Sequence, residues 1–290
     1  MSIIPFDERD GFIWINGEVV PWRDAKIHVL SHGLHYASSC FEGERMYNGK
    51  IFKSREHSER LHNSAKILGM KMPYSVDELE QIKYDICKQN DLNDAYVRVV
   101  IWRGGEQMGV SAKQTKTHVA VAAWHWGAYF GDDKRNNGIS LKTAQWRRPA
   151  PDTAPTQAKA AGLYMICTMS KHAVEDEGFD DALMLDYKGD IAEASAANFF
   201  AVKDGTLLTP APDCFLNGIT RQTVIQLAKD LGIPFEERAL HPNELPDFQE
   251  IFVTGTAAEI TAVGQIDDHK YTVGPITKKL RSAYEDLVRR

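Results

Sequence analysis

Through the first part of the chain the pattern of hydrophobic and polar positions passes from strand-like runs to helical spacing and back. Phe12–Ile15 and Val19–Trp22 flank Asn16-Gly17, and Arg45–Tyr47 and Ile51–Phe52 flank Asn48-Gly49. Asn-Gly readily takes the positive φ values of a two-residue turn, so both segments are predicted hairpins. A helix is predicted from about Ser54, with Leu61, Ala65 and Leu68 on one face and Gly69 as its stop; a second is capped by Ser75 and Glu78 and aligns Leu79, Ile82 and Ile86. Tyr96–Trp102 and His118–Trp124 then read as strands, an order that predicts an α+β domain.

Around Gly127–Asn137 the apolar pattern lapses into Gly131, Asp132, Asp133, Lys134, Arg135, Asn136 and Asn137, read as a polar loop between two domains. The expected division is a small N-terminal α+β domain over residues 1–130, an interdomain loop over 131–137 and a large C-terminal domain over 138–290. In the last, strands at Leu183–Tyr187, Ala197–Val202 and Ile251–Thr254 alternate with helices at Ala160–Glu177, Arg221–Leu231 and Ile276–Val288. Lys188-Gly189-Asp190 and Asp204-Gly205 supply turns.

Composition excludes some classes of function. The 290 residues, 43% hydrophobic and 26% charged, suffice for one large domain or two smaller ones. Lys and Arg number 34 against 40 Asp and Glu, a net charge of −6, and the basic residues are scattered, which argues against a sequence-independent nucleic-acid binder. No apolar run approaches the roughly 18–20 residues that span a bilayer, and Asp7-Glu8-Arg9-Asp10 stands where a signal peptide would carry its apolar core. A cytoplasmic protein, not bound to membrane, is expected. Cys40, Cys87, Cys167 and Cys214 lie far apart, as reduced structural thiols do. His28, His32 and His35 form the only histidine cluster; no carboxylate or cysteine pattern completes a metal set, so they are expected to orient backbone or line a surface, and no metal is expected.

Four places offer chemistry. Gly218-Ile219-Thr220-Arg221 precedes a helix, where free N–H groups, the helix dipole and the Thr220 hydroxyl suit a phosphate; taken alone, a glycine turn with a threonine cap is the first reading. A second glycine-threonine turn, Thr254-Gly255-Thr256-Ala257-Ala258, follows the apolar run Glu250–Val253, and both are read as helix-end turns. No Gly-x-x-x-x-Gly-Lys-Ser/Thr loop or Gly-x-Gly-x-x-Gly fingerprint accompanies them, so nucleotide hydrolysis and a dinucleotide lose support. Lys159 and Glu193 each stand among small residues, the first suited to a Schiff base if buried and otherwise a helix-start lysine facing water, the second explained equally by a surface strand. Tyr96 and Arg98 fall on one side of a strand, where a hydroxyl and a guanidinium suit a carboxylate ligand and an exposed sheet face is the bland alternative.

Together with further anchors these residues resemble a known family. Tyr36-Ala-Ser-Ser-Cys-Phe41-Glu-Gly43-Glu-Arg45, Arg55-Glu-His-Ser-Glu-Arg60-Leu, Tyr96-Val-Arg98, Met108-Gly109-Val110 and Trp126-Gly-Ala-Tyr129 are followed by Ala154-Pro-Thr-Gln-Ala-Lys159-Ala-Ala-Gly-Leu-Tyr164. Glu193-Ala-Ser-Ala-Ala-Asn198, Leu216-Asn-Gly-Ile219-Thr220-Arg221 and Thr254-Gly-Thr256-Ala257-Ala-Glu complete the series. Nearly end to end, the chain resembles the class IV pyridoxal-phosphate enzymes, and within them the branched-chain amino acid aminotransferases.

The resemblance implies an α+β, two-domain, D-amino acid aminotransferase-like fold, with a sheet-rich small N-terminal domain, a larger C-terminal α/β domain and a loop over the site. It implies pyridoxal 5'-phosphate as cofactor, with Lys159 as Schiff-base lysine and general base, Glu193 on the pyridinium nitrogen and Tyr164 on the phenolic oxygen. Arg60, Ile219, Thr220 and Thr256 would hold the phosphate, and Leu216 would pack on the ring. Tyr96 with the N–H groups of Thr256 and Ala257 would take the α-carboxylate, and Arg98 the distal carboxylate of glutamate. Phe41, Gly43, Trp126, Tyr129 and Tyr164, with Tyr36 and Val110 of a neighbouring subunit, would enclose the side chain. The implied reaction is reversible, ping-pong transfer of the amino group of Leu, Ile or Val to 2-oxoglutarate by a homodimer or a higher oligomer, up to a hexamer. A D-amino acid or (R)-amine transaminase, an aminodeoxychorismate lyase and a catalytically silent relative are the alternatives. Glu44, Asn217, Ala196 and Ala197 depart from the family pattern; Glu44 is expected to pair with Arg45 or narrow the pocket.

Overall fold

Asn16 and Gly17 adopt φ values of 53° and 102°, and Asn48 and Gly49 values of 49° and 78°, the left-handed pairs that two-residue hairpins require. The computed structural model describes residues 4–127 and 132–290. By their contacts these divide into a first unit, residues 4–127 with Ala158–Gly162, and a second, residues 132–157 with Leu163–Arg290.

The first unit is a six-stranded antiparallel sheet of β1 (Phe12–Ile15), β2 (Glu18–Pro21), β3 (Ser39–Tyr47), β4 (Lys50–Ile51), β5 (Ala95–Arg103) and β6 (Thr117–His125), in the order β2-β1-β6-β5-β3-β4. A five-residue helix α1 (His32–Tyr36), not foreseen from the sequence, precedes β3. Helices α2 (Ser54–Ile67) and α3 (Val76–Gln89) cover one face of the sheet, placing Leu61, Ala65, Leu79 and Ile86 against Val97, Val99, Ile101, Val119 and Val121. Burying each large aliphatic side chain stabilises by about 1.5–3 kcal/mol, and Leu79→Ala at the centre would cost about 2–5 kcal/mol. The predicted capping box starts α3: Ser75 Oγ accepts from Glu78 N at 3.3 Å while Glu78 Oε2 accepts from Ser75 N at 2.7 Å.

Residues 158–162 join this unit because Ala160 makes an antiparallel bridge to Cys40 and Phe41 N donates to Lys159 O at 3.2 Å. The helix expected from Ala160 therefore begins later. A 3-10 turn over Ala161–Tyr164 leads into α5 (Met165–Glu175), since Lys159 and Ala160 are committed to pairing with β3.

In the second unit α4 (Asp132–Asn137) is a short helix within the segment expected as polar loop. A nine-stranded sheet follows, of β7 (Ile139–Thr143), β8 (Asp181–Leu185), β9 (Ile191–Ala194), β10 (Asn198–Lys203), β11 (Thr206–Thr209), β12 (Phe235–Glu237), β13 (Glu250–Gly255), β14 (Glu259–Ile266) and β15 (His269–Lys270). Helices α6 (Ile219–Asp230) and α7 (Pro275–Val288) belong to the same unit. The strand order β12-β11-β10-β13-β14-β7-β8-β9 turns back on itself, because β9 also pairs with β10 through Glu193 and Asn198. Strands β10, β13, β14, β7, β8 and β9 thus close a ring, with Leu141, Leu183, Ile191, Phe199, Ile251 and Val263 among its buried residues.

Candidate active site

Alternation along β3 sends Phe41 and Gly43 to the sheet face opposite the helices, and register brings Gly43 beside Arg98 and Phe41 beside Val100 of β5. Tyr96 and Arg98 share that face, and Arg98 Nη2 donates to the Tyr96 hydroxyl at 3.2 Å. A Cβ at Gly43 would stand 1.9 Å from that hydroxyl, so only glycine leaves Tyr96 its place. The Arg98 guanidinium lies 4.6 Å from the Phe41 ring centre, and Trp126 lies 4.8 Å from the Tyr96 ring. Lys159 comes to the same ring, its Nζ 5.0 Å from the Phe41 centroid, while its backbone N–H donates to Ser64 Oγ at 3.0 Å. Ala158 and Ala160 are buried and Lys159 is partly buried in a non-helical segment that ends before the turn at Ala161, so it is no helix-start lysine.

The opposite face of β3 carries a charge cluster. Glu42, fully buried, accepts from Arg60 Nε at 2.6 Å and Nη2 at 2.8 Å, and faces His57 Nδ1 at 2.7 Å. Burial pushes its carboxyl up, but Arg60 and His57 outweigh burial and hold it well below the usual carboxylate range. Arg60 is thereby fixed by a bidentate pair. Glu44 pairs not with Arg45 but with Lys83, at 2.8 Å and also buried, because alternation puts Glu44 and Arg45 on opposite faces. Lys83 Nζ also donates to Ser58 Oγ at 2.8 Å and Ser54 O at 3.0 Å. Cys40 is inert: burial, then the Glu42 charge, pushes its thiol up to about 12.

In the second unit Glu193 lies in β9 and is buried, so it is no surface-strand residue. Its Oε1 is 3.4 Å from Arg148 Nε, and its Oε2 accepts from Asn198 Nδ2 at 3.2 Å. Arg148, buried as well, donates to Cys167 Sγ at 3.2 Å and to Leu163 O at 3.4 Å, beside Tyr164 at the start of α5. Gly218 is the N-cap of α6, with Ile219 and Thr220 buried in its first turn. A Cβ at Gly218 would stand 2.1 Å from Asn198 Oδ1. Asn217 has its own task, accepting from Arg221 Nη1 at 2.8 Å. The second glycine-threonine turn is not a helix end: Gly255 pairs with Glu259 across the β13–β14 hairpin, and Glu259, at φ 51°, starts the return strand. Thr256 and Ala257 are partly exposed at its tip.

Of the other expected site residues, Tyr36 and Val110 are exposed in the first unit, Val110 at 85%, and Leu216 is partly buried before Gly218. Tyr129 lies outside the described residues. The three histidines serve the backbone: His32 Nε2 faces Gly109 O and His35 Nε2 faces Val29 O, each at 2.9 Å, and Leu30 N donates to His28 Nδ1 at 3.1 Å. Sequence reasoning assigns no role to Glu42, His57, Arg148 or Asn198. A signal exists for Glu42, an acid at a core register between Cys40 and Met46; none exists for Arg148, whose partners are distant in sequence.

Comparison with known proteins identifies the family. The family described as class IV amino-transferases matches residues 39–266. A probable branched-chain-amino-acid aminotransferase of Rickettsia felis is 44% identical over the whole of both chains, and the Pseudomonas aeruginosa branched-chain-amino-acid aminotransferase 41% identical over 97% of this chain and 94% of its own. Among solved structures, that of the Escherichia coli branched-chain amino acid aminotransferase superimposes with a TM-score of 0.93, at 41% identity, covering 97% of this chain and 95% of its own. With a family match over most of its length and relatives this similar end to end, the chain belongs to the class IV aminotransferases.

Proposed function

We propose that the protein transfers the amino group of L-leucine, L-isoleucine or L-valine to 2-oxoglutarate, with pyridoxal 5'-phosphate as cofactor. The observation that carries this reading is the shared face of the first unit, where Phe41, Gly43, Tyr96, Arg98 and Lys159 converge. An apolar ring and a guanidinium side by side suit a pocket that takes an aliphatic side chain in one half-reaction and a distal carboxylate in the other.

The donor set fits the cofactor. A buried carboxylate, Glu193, suits a protonated ring nitrogen, and the start of α6 offers N–H groups and the Thr220 hydroxyl to a phosphate, beside a glycine whose Cβ would collide with Asn198. Bound there, the cofactor supplies an electron sink for cleavage of the substrate Cα–H bond. Lys159 would be the covalent anchor and, once freed by the substrate amine, would carry the proton to and from Cα on Nζ. Glu193 keeps a proton on the ring nitrogen, with Arg148 and Asn198 fixing the carboxylate, and Tyr164 bonds the phenolic oxygen. Arg60, oriented by Glu42, joins Ile219, Thr220 and Thr256 in holding the phosphate, while Leu216 packs on the ring. Tyr96 and the N–H groups of Thr256 and Ala257 take the α-carboxylate, Arg98 takes the distal one, and Trp126 and Tyr129 wall the side chain.

A second copy of the chain supplies Tyr36 and Val110. In support, the first unit exposes Ile27, Val29, Leu30 and Leu34 as well as these two, an apolar surface of the kind that association covers. The four cysteines are buried and free of disulfides, as suits the reducing cytoplasm. No helix among the described residues is long and apolar enough to cross a membrane.

The test is to incubate the purified protein and cofactor with 2-oxoglutarate and, in separate reactions, L-leucine, D-alanine or an (R)-aryl amine. Glutamate is expected with L-leucine above all; glutamate from D-alanine or the (R)-amine alone would overturn the proposal. Light scattering should give at least a dimer.

A further inference from the structure

Asn198 stands where the ring of strands closes. It is the first residue of β10, paired on one side with Glu193 of β9 and on the other with Thr254 of β13, the strand that runs into the Gly255-Thr256 turn. Directly paired residues of antiparallel strands place their side chains together, and the buried Asn198 amide uses both of its N–H directions. Nδ2 donates to Glu193 Oε2 at 3.2 Å and to Leu216 O at 3.0 Å. Partner chemistry fixes the amide's orientation, because the opposite one would turn Oδ1 toward a carboxylate and a carbonyl, neither of which donates. As placed, Oδ1 faces Gly218, which has room for it only for want of a Cβ. One side chain therefore touches the Glu193 carboxylate, the backbone of Leu216 and the N-cap of the helix that carries Ile219 and Thr220.

We infer that Asn198 is a positioning residue that locks the carboxylate serving the ring nitrogen to the helix start serving the phosphate, so that the two ends of the cofactor's seat keep a fixed separation. This rests on the roles given above to Glu193 and Thr220. Nearby side chains cannot substitute: Ala removes the links, and Asp, nearly the same shape, turns an acceptor toward two acceptors.

Groups held by one rigid frame lose affinity non-additively, and a double-mutant cycle reads that coupling. The dissociation constant of pyridoxal 5'-phosphate is measured on the full chain for the parent, Glu193→Gln, Thr220→Ala and the double variant, and again with Asn198→Ala in all four. In the parent background the double variant should fall short of the product of the single effects by about threefold or more, within the range of coupled neighbours. With Asn198→Ala the effects should multiply. The thermal midpoint of each cofactor-free chain is a separate readout, which a purely structural asparagine would move while leaving the coupling intact. Asn198→Asp takes the place of Asn198→Ala if the latter does not fold. Coupling that persists unchanged in the Asn198 variants, or a parent cycle that is already multiplicative, overturns this inference alone. A parent chain that binds no cofactor overturns the reading of the site and this inference with it.

Discussion

Two buried carboxylates, one in each unit, are each held by an arginine, yet they are built differently. Glu42 meets Arg60 through two bonds of 2.6 and 2.8 Å and His57 at 2.7 Å; the Arg148 and Asn198 contacts of Glu193 are 3.4 and 3.2 Å long. The short, charge-assisted set at Glu42 is an anchor whose product is the orientation of Arg60. The longer contacts at Glu193 suit a carboxylate with the role proposed for it at the ring nitrogen. The same residue type, buried in both places, thus serves as an anchor in one and, on the proposed function, takes part in the reaction in the other.

Glu42→Ala should be the most damaging substitution. It leaves Arg60 and His57 without their carboxylate, and a buried ion pair broken on one side costs about 3–5 kcal/mol, read as a lower urea midpoint. Its pH signature follows from the sign of the shift. Because the folded carboxyl is held below its ordinary range, its contribution is complete above about pH 4.3 and is lost as pH falls below it. Glu42→Gln should flatten that acid limb. Glu193→Gln, whose amide keeps the shape and an acceptor for Arg148, should lower the urea midpoint less than Glu42→Ala does, with turnover down about 10²–10³-fold, the scale of losing one electrostatic contact at a reacting centre. A Glu193 variant that unfolds while Glu42→Ala stays stable would invert the assignment.

Gly43→Ala comes next. The new methyl meets the Tyr96 hydroxyl, and overpacking of this kind costs about 1–3 kcal/mol, expected here as a rise in KM for L-leucine through displacement of Tyr96. The smallest effect belongs to a carboxylate near the surface. Hydrogen bonds from Arg238 hold Glu244 at about 2 despite partial burial, so its share of stability is present above the ordinary glutamate range and lost as pH falls through about 2. Glu244→Gln should cost no more than about 1 kcal/mol, in line with exposed pairs.

The local parts of this architecture are legible from sequence. Asn-Gly turns carry their φ preference with them, and the spacing of Leu79, Ile82 and Ile86 behind a Ser75–Glu78 box is a helix signal that needs no distant partner. What sequence does not disclose is set by distant contacts. Strands β7, β9, β11, β12 and β14 are elements whose existence depends on their neighbours in the sheet. The Thr254–Ala258 turn reads as a helix end because glycine and threonine serve both; Glu259 returning as a strand decides it. Lys159 and Glu193 stand out by their small neighbours, whereas Arg148 leaves no mark in the sequence and the part played by Asn198, an anchor of the family pattern, becomes visible only once folding places it against Glu193.

Covalent attachment of the cofactor to Lys159, as proposed, can be read chemically. Borohydride reduction of the cofactor-loaded protein followed by peptide mapping should place a phosphopyridoxyl group on the peptide containing Lys159, and that label should vanish in Lys159→Ala. A label on another lysine, or none on a protein that turns over L-leucine, would contradict the account.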